Sequence, residues 1–184
     1  MNTLDKFINY LKGEFDNKEQ IEELKKKGVT NFPFAKHVNN VCNNKIDNLP
    51  MEFEGYFLLE ESYYNVNGRV NAMPHLFLFT ECNNKVKLTS YDLPEGFTKE
   101  TFKYSNIKEN LDYNKLVVSK KFNPMRYEEN NNIFHGESIS MFAPELKFIL
   151  VEDICEEYLS VSESFEKNGQ RTFGFDYPII YKRI

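Results

Sequence analysis

The sequence has no tryptophan, only three histidines and only three cysteines, and these low numbers exclude several kinds of site. Cys42, Cys82 and Cys155 lie far apart and form no CxxC pair, so neither a zinc knuckle nor a thioredoxin-type redox motif is indicated. The histidines fall in three separate predicted strands and show no HxH or HExxH spacing. We therefore expect no metal site, and we expect the thiols to be free and reduced.

Long apolar runs and a basic excess are also missing. No stretch approaches the ~18 apolar residues that a membrane span needs. With 23 basic and 28 acidic residues the net charge is −5, which does not favour nucleic-acid binding. The N-terminal stretch MNTLDKFINYLKGEF carries charges throughout and lacks a signal-peptide core. The sequence predicts a cytoplasmic protein without a membrane or nucleic-acid partner.

The 184 residues suit a single domain, 1–184, in which a helical segment (1–28) precedes a β-barrel (32–184). One apolar stripe at helical spacing marks the first helix and comprises Leu4, Phe7, Ile8, Leu11 and Phe15. Gly13 is expected to end or kink this helix. A second helix is expected to begin at Asn17, which lies three residues before Gln20 as in a capping box, and to end near Gly28.

After residue 32 the apolar residues follow the period of β-strands. The clearest predicted strands are 53–64, 74–82, 85–91, 115–122 and 146–154, and shorter ones are 35–42, 125–129, 133–138, 158–164 and 170–183. Asparagine-rich turns separate them, at Asn43-Asn44, Asn67-Gly68, Asn83-Asn84, 130–132 and Asn168-Gly169. About ten short strands with tight turns predict a sandwich or an antiparallel barrel.

The stretch FEGYFLLEESYY (53–64) places mixed side chains on both faces of its strand. Because side chains alternate, only one of the neighbours Glu60 and Glu61 can point inward. We expect the inner face to hold Phe53, Phe57, Leu59, Glu61 and Tyr63, because the opposite face carries Glu54 and Glu60. The inward carboxylate then either meets a polar ligand or pairs with an internal arginine; Arg69, Arg126 and Arg171 are the candidates.

Phenylalanine and tyrosine supply 17 and 11 residues, many of them in the predicted strands. Such aromatic residues either fill the core of a small barrel or wall a ligand pocket that also holds a few polar groups. Composition alone leaves both alternatives open.

Three stretches in order, LKGEFDNKEQ (11–20), FEGYFLLEESYY (53–64) and SFEKNGQRTFGFDYPIIYKR (164–183), resemble the CpcT/CpeT family of T-type phycobiliprotein chromophore lyases. The resemblance implies a calyx-like, lipocalin-like antiparallel β-barrel that is often a homodimer. It also implies binding of a linear tetrapyrrole (a bilin) in the barrel, without a required cofactor, and its transfer to a cysteine of a phycobiliprotein subunit.

The resemblance also implies site residues. The family's Pro-Tyr-Arg-x-Arg strand matches 74–78, where His75 replaces the tyrosine and Leu76 and Leu78 replace the propionate-binding arginines. The family's aspartate, which meets the pyrrole nitrogens, matches Ser162, or Glu163 after a one-residue slip. The expected ligand-binding set is Glu61, Tyr63, His75, Leu76, Leu78, Ser162 and Glu163.

Three hypotheses for the function follow. The first is binding of a small apolar or amphipathic ligand, with bilin as the first candidate. The second is chromophore lyase activity, for which the unmatched arginine pair and aspartate are unfavourable. The third is a barrel filled by its own aromatic residues that acts as an interaction module.

Overall fold

A computed structural model describes residues 2–66 and 68–184, apart from the side chain of Val66. The helices are α1 (Thr3–Leu11) and α2 (Lys18–Lys26). The strands are β1 (Gly13–Asp16), β2 (Phe34–Val41), β3 (Ile46–Asp47), β4 (Tyr56–Val66), β5 (Arg69–Cys82), β6 (Lys85–Tyr91), β7 (Leu111–Asp112), β8 (Met125–Asn130), β9 (Ile133–Ala143), β10 (Leu146–Ile154), β11 (Leu159–Lys167), β12 (Gln170–Phe173) and β13 (Ile179–Arg183). Neither helix is both long and apolar enough to cross a membrane.

The main sheet closes on itself as an antiparallel barrel. Its strands are hydrogen-bonded in the order β10-β9-β8-β6-β5-β4-β2-β1-β13-β11, and pairing of β10 with β11 completes the ring. Strand β12 extends β11 as a hairpin outside this ring, and β3 and β7 form a separate parallel pair. The predicted mainly β, calyx-like barrel is therefore confirmed. Closure leaves no free edge within the ring.

Asparagine turns set the register of three hairpins. Asn83-Asn84, Asn131-Asn132 and Asn168-Gly169 all have positive φ at both positions. This backbone geometry matches the twist of antiparallel strands and is tolerated best by asparagine and glycine. The predicted turns at these three places are confirmed. For the predicted Asn67-Gly68 turn, Asn67 lies outside the described residues.

Helix α1 covers one end of the barrel. Its buried residues are Leu4, Phe7, Ile8 and Leu11. The backbone N–H of Leu4 donates to Glu81 at the end of β5, and the Tyr56 hydroxyl at the start of β4 donates to Asp5 at 2.6 Å. The opposite end carries the β9–β10 and β11–β12 turns, together with the end of β4 and the start of β5, and we call it the mouth.

Two details of the predicted helical segment are wrong. Residues 13–16 form strand β1, between β2 and β13, so Phe15 belongs to the barrel and not to the helical stripe. Asn17 precedes α2 but makes no side-chain capping bond. Its side chain instead binds the backbone of Pro33 and Ala35, and this tertiary contact holds the start of α2 against β2.

The predicted strand 115–122 is also wrong. This stretch makes only one isolated bridge, between Tyr91 and Val118. It ends a long connection, from 92 onward, that covers the outside of β4 and β5 and encloses a second apolar cluster. We call it the outer cluster; its buried members are Cys42, Ile46, Phe57, Leu59, Leu76, Phe102, Ile107 and Leu111.

Candidate functional site

The barrel encloses a cavity of about 640 Å³ between α1 and the mouth. This volume falls within the range of roughly 300–1,000 Å³ typical of small-molecule sites. Its wall is mostly apolar and rich in aromatic residues, with the phenyl rings of Phe77, Phe79, Phe122, Phe142, Phe148, Phe165, Phe173 and Phe175. At the mouth, Phe142 and Phe173 are 37% and 51% exposed, so an apolar surface continues from the cavity to the solvent.

The cavity face of β4 is the opposite of the predicted one. Glu60 and Tyr64 line the cavity, and across the sheet Glu60 is paired with His75 of β5, which lines it too. Phe57 and Leu59 are fully buried, as predicted, but they lie in the outer cluster. Because both faces of β4 are buried, its apolar alternation does not distinguish the inside of the barrel from the outside.

Glu61 and Tyr63 therefore point away from the cavity, contrary to prediction. Glu61 accepts hydrogen bonds from the Tyr63 hydroxyl at 2.6 Å and from the backbone N–H of Tyr104 at 3.1 Å. Through the second bond it attaches the long outer connection to β4. Glu61 thus serves to hold this connection in place.

Leu76 and Leu78 also lie on the outer face, because they pair with Leu59 and Phe57. Leu76 is fully buried in the outer cluster and Leu78 packs against it. Arginine at either position would therefore not reach the cavity. His75 and Glu163 do line it, whereas Ser162 lies on the alternate face of β11. Whether His75 or Glu163 binds a ligand stays a prediction.

Glu60 and Ser62, in the middle of β4, both lie beside the ring of His37 from β2. Glu60 lies with its Oε2 3.4 Å from Nδ1 of His37, and the hydroxyl of Ser62 is 3.0 Å from the other ring nitrogen. Burial lowers the pKa of His37 to about 3. Burial, together with repulsion from Glu152 and Glu163, raises the pKa of Glu60 well above its ordinary value. Burial thus favours the neutral form of both groups while the cavity is empty.

The second carboxyl, Glu152, stands in a row with one residue from each of two neighbouring strands. Tyr127 of β8, Gly136 of β9 and Glu152 of β10 are aligned, and the Tyr127 hydroxyl donates to Glu152. A Cβ on Gly136 would lie only 2.7 Å from Cδ1 of Tyr127. The Tyr127 ring can therefore lie over β9 only because residue 136 has no side chain. Burial raises the pKa of Glu152 to about 7.

The third carboxyl, Glu163, accepts a hydrogen bond at 3.2 Å from the Tyr64 hydroxyl. Burial raises its pKa, and the bond from Tyr64 acts in the opposite direction. Next to this group, the ring of Tyr181 packs on His37 with centroids 4.2 Å apart. The buried Tyr181 hydroxyl lies beside the Tyr64 hydroxyl, and the two interact.

Sequence reasoning missed the site residues His37, Glu60 and Glu152. Glu152 had the clearest signal, because it continues the alternation of Phe148, Leu150 and Ile154 on one face of β10. A carboxylate in an apolar row of this kind indicates a buried polar group. The acidic run that surrounds it, 152–157, conceals the signal, because it resembles a solvated edge.

Comparison of the chain with protein-family models and with curated protein sequences gives no match. The resemblance to the CpcT/CpeT family is therefore neither supported nor contradicted. It remains a prediction from the sequence.

Proposed function

We propose that this protein binds a small, largely apolar molecule inside the barrel. The observation that carries the proposal is the cavity of about 640 Å³, walled by aromatic rings and open at a mouth that is itself apolar. An empty apolar cavity forfeits the packing contacts that a filled core would make. A barrel filled by its own aromatic residues would not leave such a space, which argues against the interaction-module hypothesis.

The first test fills the cavity with a side chain. Ser138 of β9 lines the cavity, whereas its neighbour Ile139 is 53% exposed on the outer face. We expect wild type to bind the neutral probe N-phenyl-1-naphthylamine saturably, with one site per chain. Ser138→Trp is expected to weaken this binding at least about tenfold, because the indole takes up part of the space, and Ile139→Trp is expected to leave it unchanged.

Fluorescence titration measures both affinities. Thermal unfolding of the two tryptophan variants establishes that each is folded. Equal binding by the Ser138→Trp and Ile139→Trp variants would place the probe outside the barrel and refute the proposal.

A bilin is the first candidate ligand, from the resemblance alone. Among the described residues that line the cavity there is no lysine or arginine with which its propionates could form an ion pair. A carboxylate that is buried without a cation loses its hydration, and no ion pair compensates for this loss. We therefore expect phycocyanobilin dimethyl ester to bind more tightly than the free acid in an absorbance titration. Tighter binding of the free acid would indicate cations at the mouth, and binding of neither form would exclude a bilin of this kind.

Chromophore lyase activity is a separate proposal. It requires delivery of the bilin to a thiol of a phycobiliprotein subunit, and no feature of the cavity favours such transfer over binding alone. Co-expression with a phycobiliprotein β-subunit tests it, with covalent pigment above the spontaneous background as the positive result.

A further inference from the structure

We propose that the cavity selects molecules that carry a protonated amine on an apolar, aromatic-sized body, and that Glu60, Glu152 and Glu163 receive this amine. The inference rests on the proposed function, since it names the chemical class of the ligand that the cavity would hold. Three observations carry it: the position of the carboxyl groups, the balance of charge in the cavity wall, and the polar atoms that the fold leaves free.

The three carboxyl groups face the same space from different strands. Glu60 projects from β4, Glu152 from β10 and Glu163 from β11, and all three line the cavity. They are close enough that Glu152 and Glu163 each disfavour the charged form of Glu60. A positive charge placed between them would favour the ionised form of each carboxyl group and would interact with all three. While the cavity is empty, burial disfavours the charged form of all three groups, and a bound cation would offset this penalty.

The wall offers nothing of the opposite sign. Within the described residues, no lysine or arginine lines the cavity. Its two histidines, His37 and His75, are neutral, because burial lowers their pKa values to about 3 and about 4. The usual solution for buried carboxylates is pairing with a cation of the protein. Here that position is open to a ligand.

Each carboxyl also keeps an oxygen for a ligand. Tyr127 donates to Oε2 of Glu152, Tyr64 donates to Oε2 of Glu163, and His37 lies beside Oε2 of Glu60. The Oε1 atoms remain as acceptors. Nearby, the buried hydroxyl of Tyr181 faces only the hydroxyl of Tyr64 within the described residues, and that hydroxyl already donates to Glu163. An ammonium group has three donors with which to satisfy such acceptors.

The apolar wall fixes the other half of the ligand. Phe148 and Phe165 pack with ring centroids 5.0 Å apart and lie between the carboxyl groups and the mouth. Each sits two residues along its strand from the next inward position, Leu150 on β10 and Glu163 on β11. A bound molecule would thus have its nitrogen near the carboxyl groups and its rings among the phenylalanines.

A matched series of three probes tests the selection. The probes are 9-anthracenemethylamine, 9-anthracenemethanol and 9-anthracenecarboxylate, which share one ring system and differ in the charge of the substituent. At pH 7.5 we expect the amine to bind at least about tenfold more tightly than the alcohol, as for a charge-assisted hydrogen bond, and the carboxylate to bind most weakly. Isothermal titration calorimetry measures all three on the wild-type protein.

Two cavity variants and one control variant, each with glutamine in place of glutamate, locate the effect. Glu60→Gln is expected to reduce the advantage of the amine over the alcohol several-fold. Glu61→Gln, the adjacent residue on the outer face, is the control and is expected to retain the wild-type ratio. Glu163→Gln provides a second cavity variant if Glu60→Gln fails to fold, which circular dichroism would show.

The outcomes separate this inference from the proposed function. Equal affinity for the three probes, or tighter binding of the carboxylate, would overturn the amine selection and leave ligand binding intact. Failure of all three probes, together with failure of the neutral naphthylamine probe, would overturn both. If the ratio of amine to alcohol affinity falls equally in the Glu60→Gln and Glu61→Gln variants, Glu60 does not bind the amine.

Discussion

Glutamine in place of Glu152 is expected to stabilise the empty protein at pH 8, by on the order of 3 kcal/mol. Burial raises the pKa of this carboxyl from 4.5 in the unfolded chain to about 7 in the folded protein. Below pH 4.5 the carboxyl is protonated in both the folded and the unfolded protein, so its titration does not change the free energy of unfolding. Between pH 4.5 and 7 the unfolded state ionises first, so the free energy of unfolding falls as the pH rises, and above pH 7 the full penalty remains. Glutamine cannot ionise and can still accept the bond from Tyr127.

Urea unfolding of both proteins at pH 4.5 and pH 8 measures this effect. Asp153→Asn is the matched control, because Asp153 is adjacent, lies on the outer face and pairs at 2.7 Å with the exposed His135. A surface pair of this kind is worth roughly 0–1 kcal/mol. The buried histidines contribute equally to wild type and variant, so they cancel in the difference. A Glu152→Gln gain that is as large at pH 4.5 as at pH 8 would contradict the titration argument.

Removal of the Phe7 ring is expected to cost about 3–5 kcal/mol of the free energy of unfolding, the largest loss that we predict for a single truncation in this chain. Phe7 is fully buried in α1. Its ring lies 5.1 Å from Phe79, 4.7 Å from Tyr127 and 5.2 Å from Phe134, measured between centroids. Alanine would leave a void against three rings that belong to three different strands.

Denaturant midpoints of the Phe7→Ala variant and of a Met51→Ala control measure the loss. Met51 is fully exposed, so its truncation is expected to change stability by less than about 0.5 kcal/mol. A loss below about 1 kcal/mol at Phe7 would mean that α1 rests on the barrel end without being part of its core.

Local signals in the sequence predicted much of the barrel. Strands β6 and β10 have the predicted bounds, 85–91 and 146–154. The Asn83-Asn84 turn marks the start of β6, and a continuous run of alternating apolar residues marks β10. Strand β1 was missed because four residues between two helices carry no recognisable period. The stretch 115–122 was predicted as a strand, but it makes only one isolated bridge, and its apolar residues diverge: Leu116 packs on the outer cluster, whereas Phe122 lines the cavity.

The inner face of the barrel could not be predicted from alternation. A one-residue change of parity moves every side chain of a strand to the other face. In β4 the outer residues Phe57 and Leu59 are more apolar than the inner ones, because a distant segment covers them. The same inversion affects β5, where Leu76 and Leu78 are outside and His75 is inside. Only tertiary contacts more than forty residues away, such as the bond from Tyr104 to Glu61, determine the choice.

The double burial of β4 has a consequence for how closely the cavity can adapt to its contents. With the outer cluster on one side and the barrel interior on the other, this strand cannot shift without disturbing two cores, so Glu60 keeps one position whatever enters. The hairpin turns at the mouth have no such double cover, and Phe142 and Phe173 are partly in solvent. Induced fit is thus confined to the mouth. Because the carboxyl group of Glu60 stays in one position, ligands of different length are accommodated by changes at the mouth.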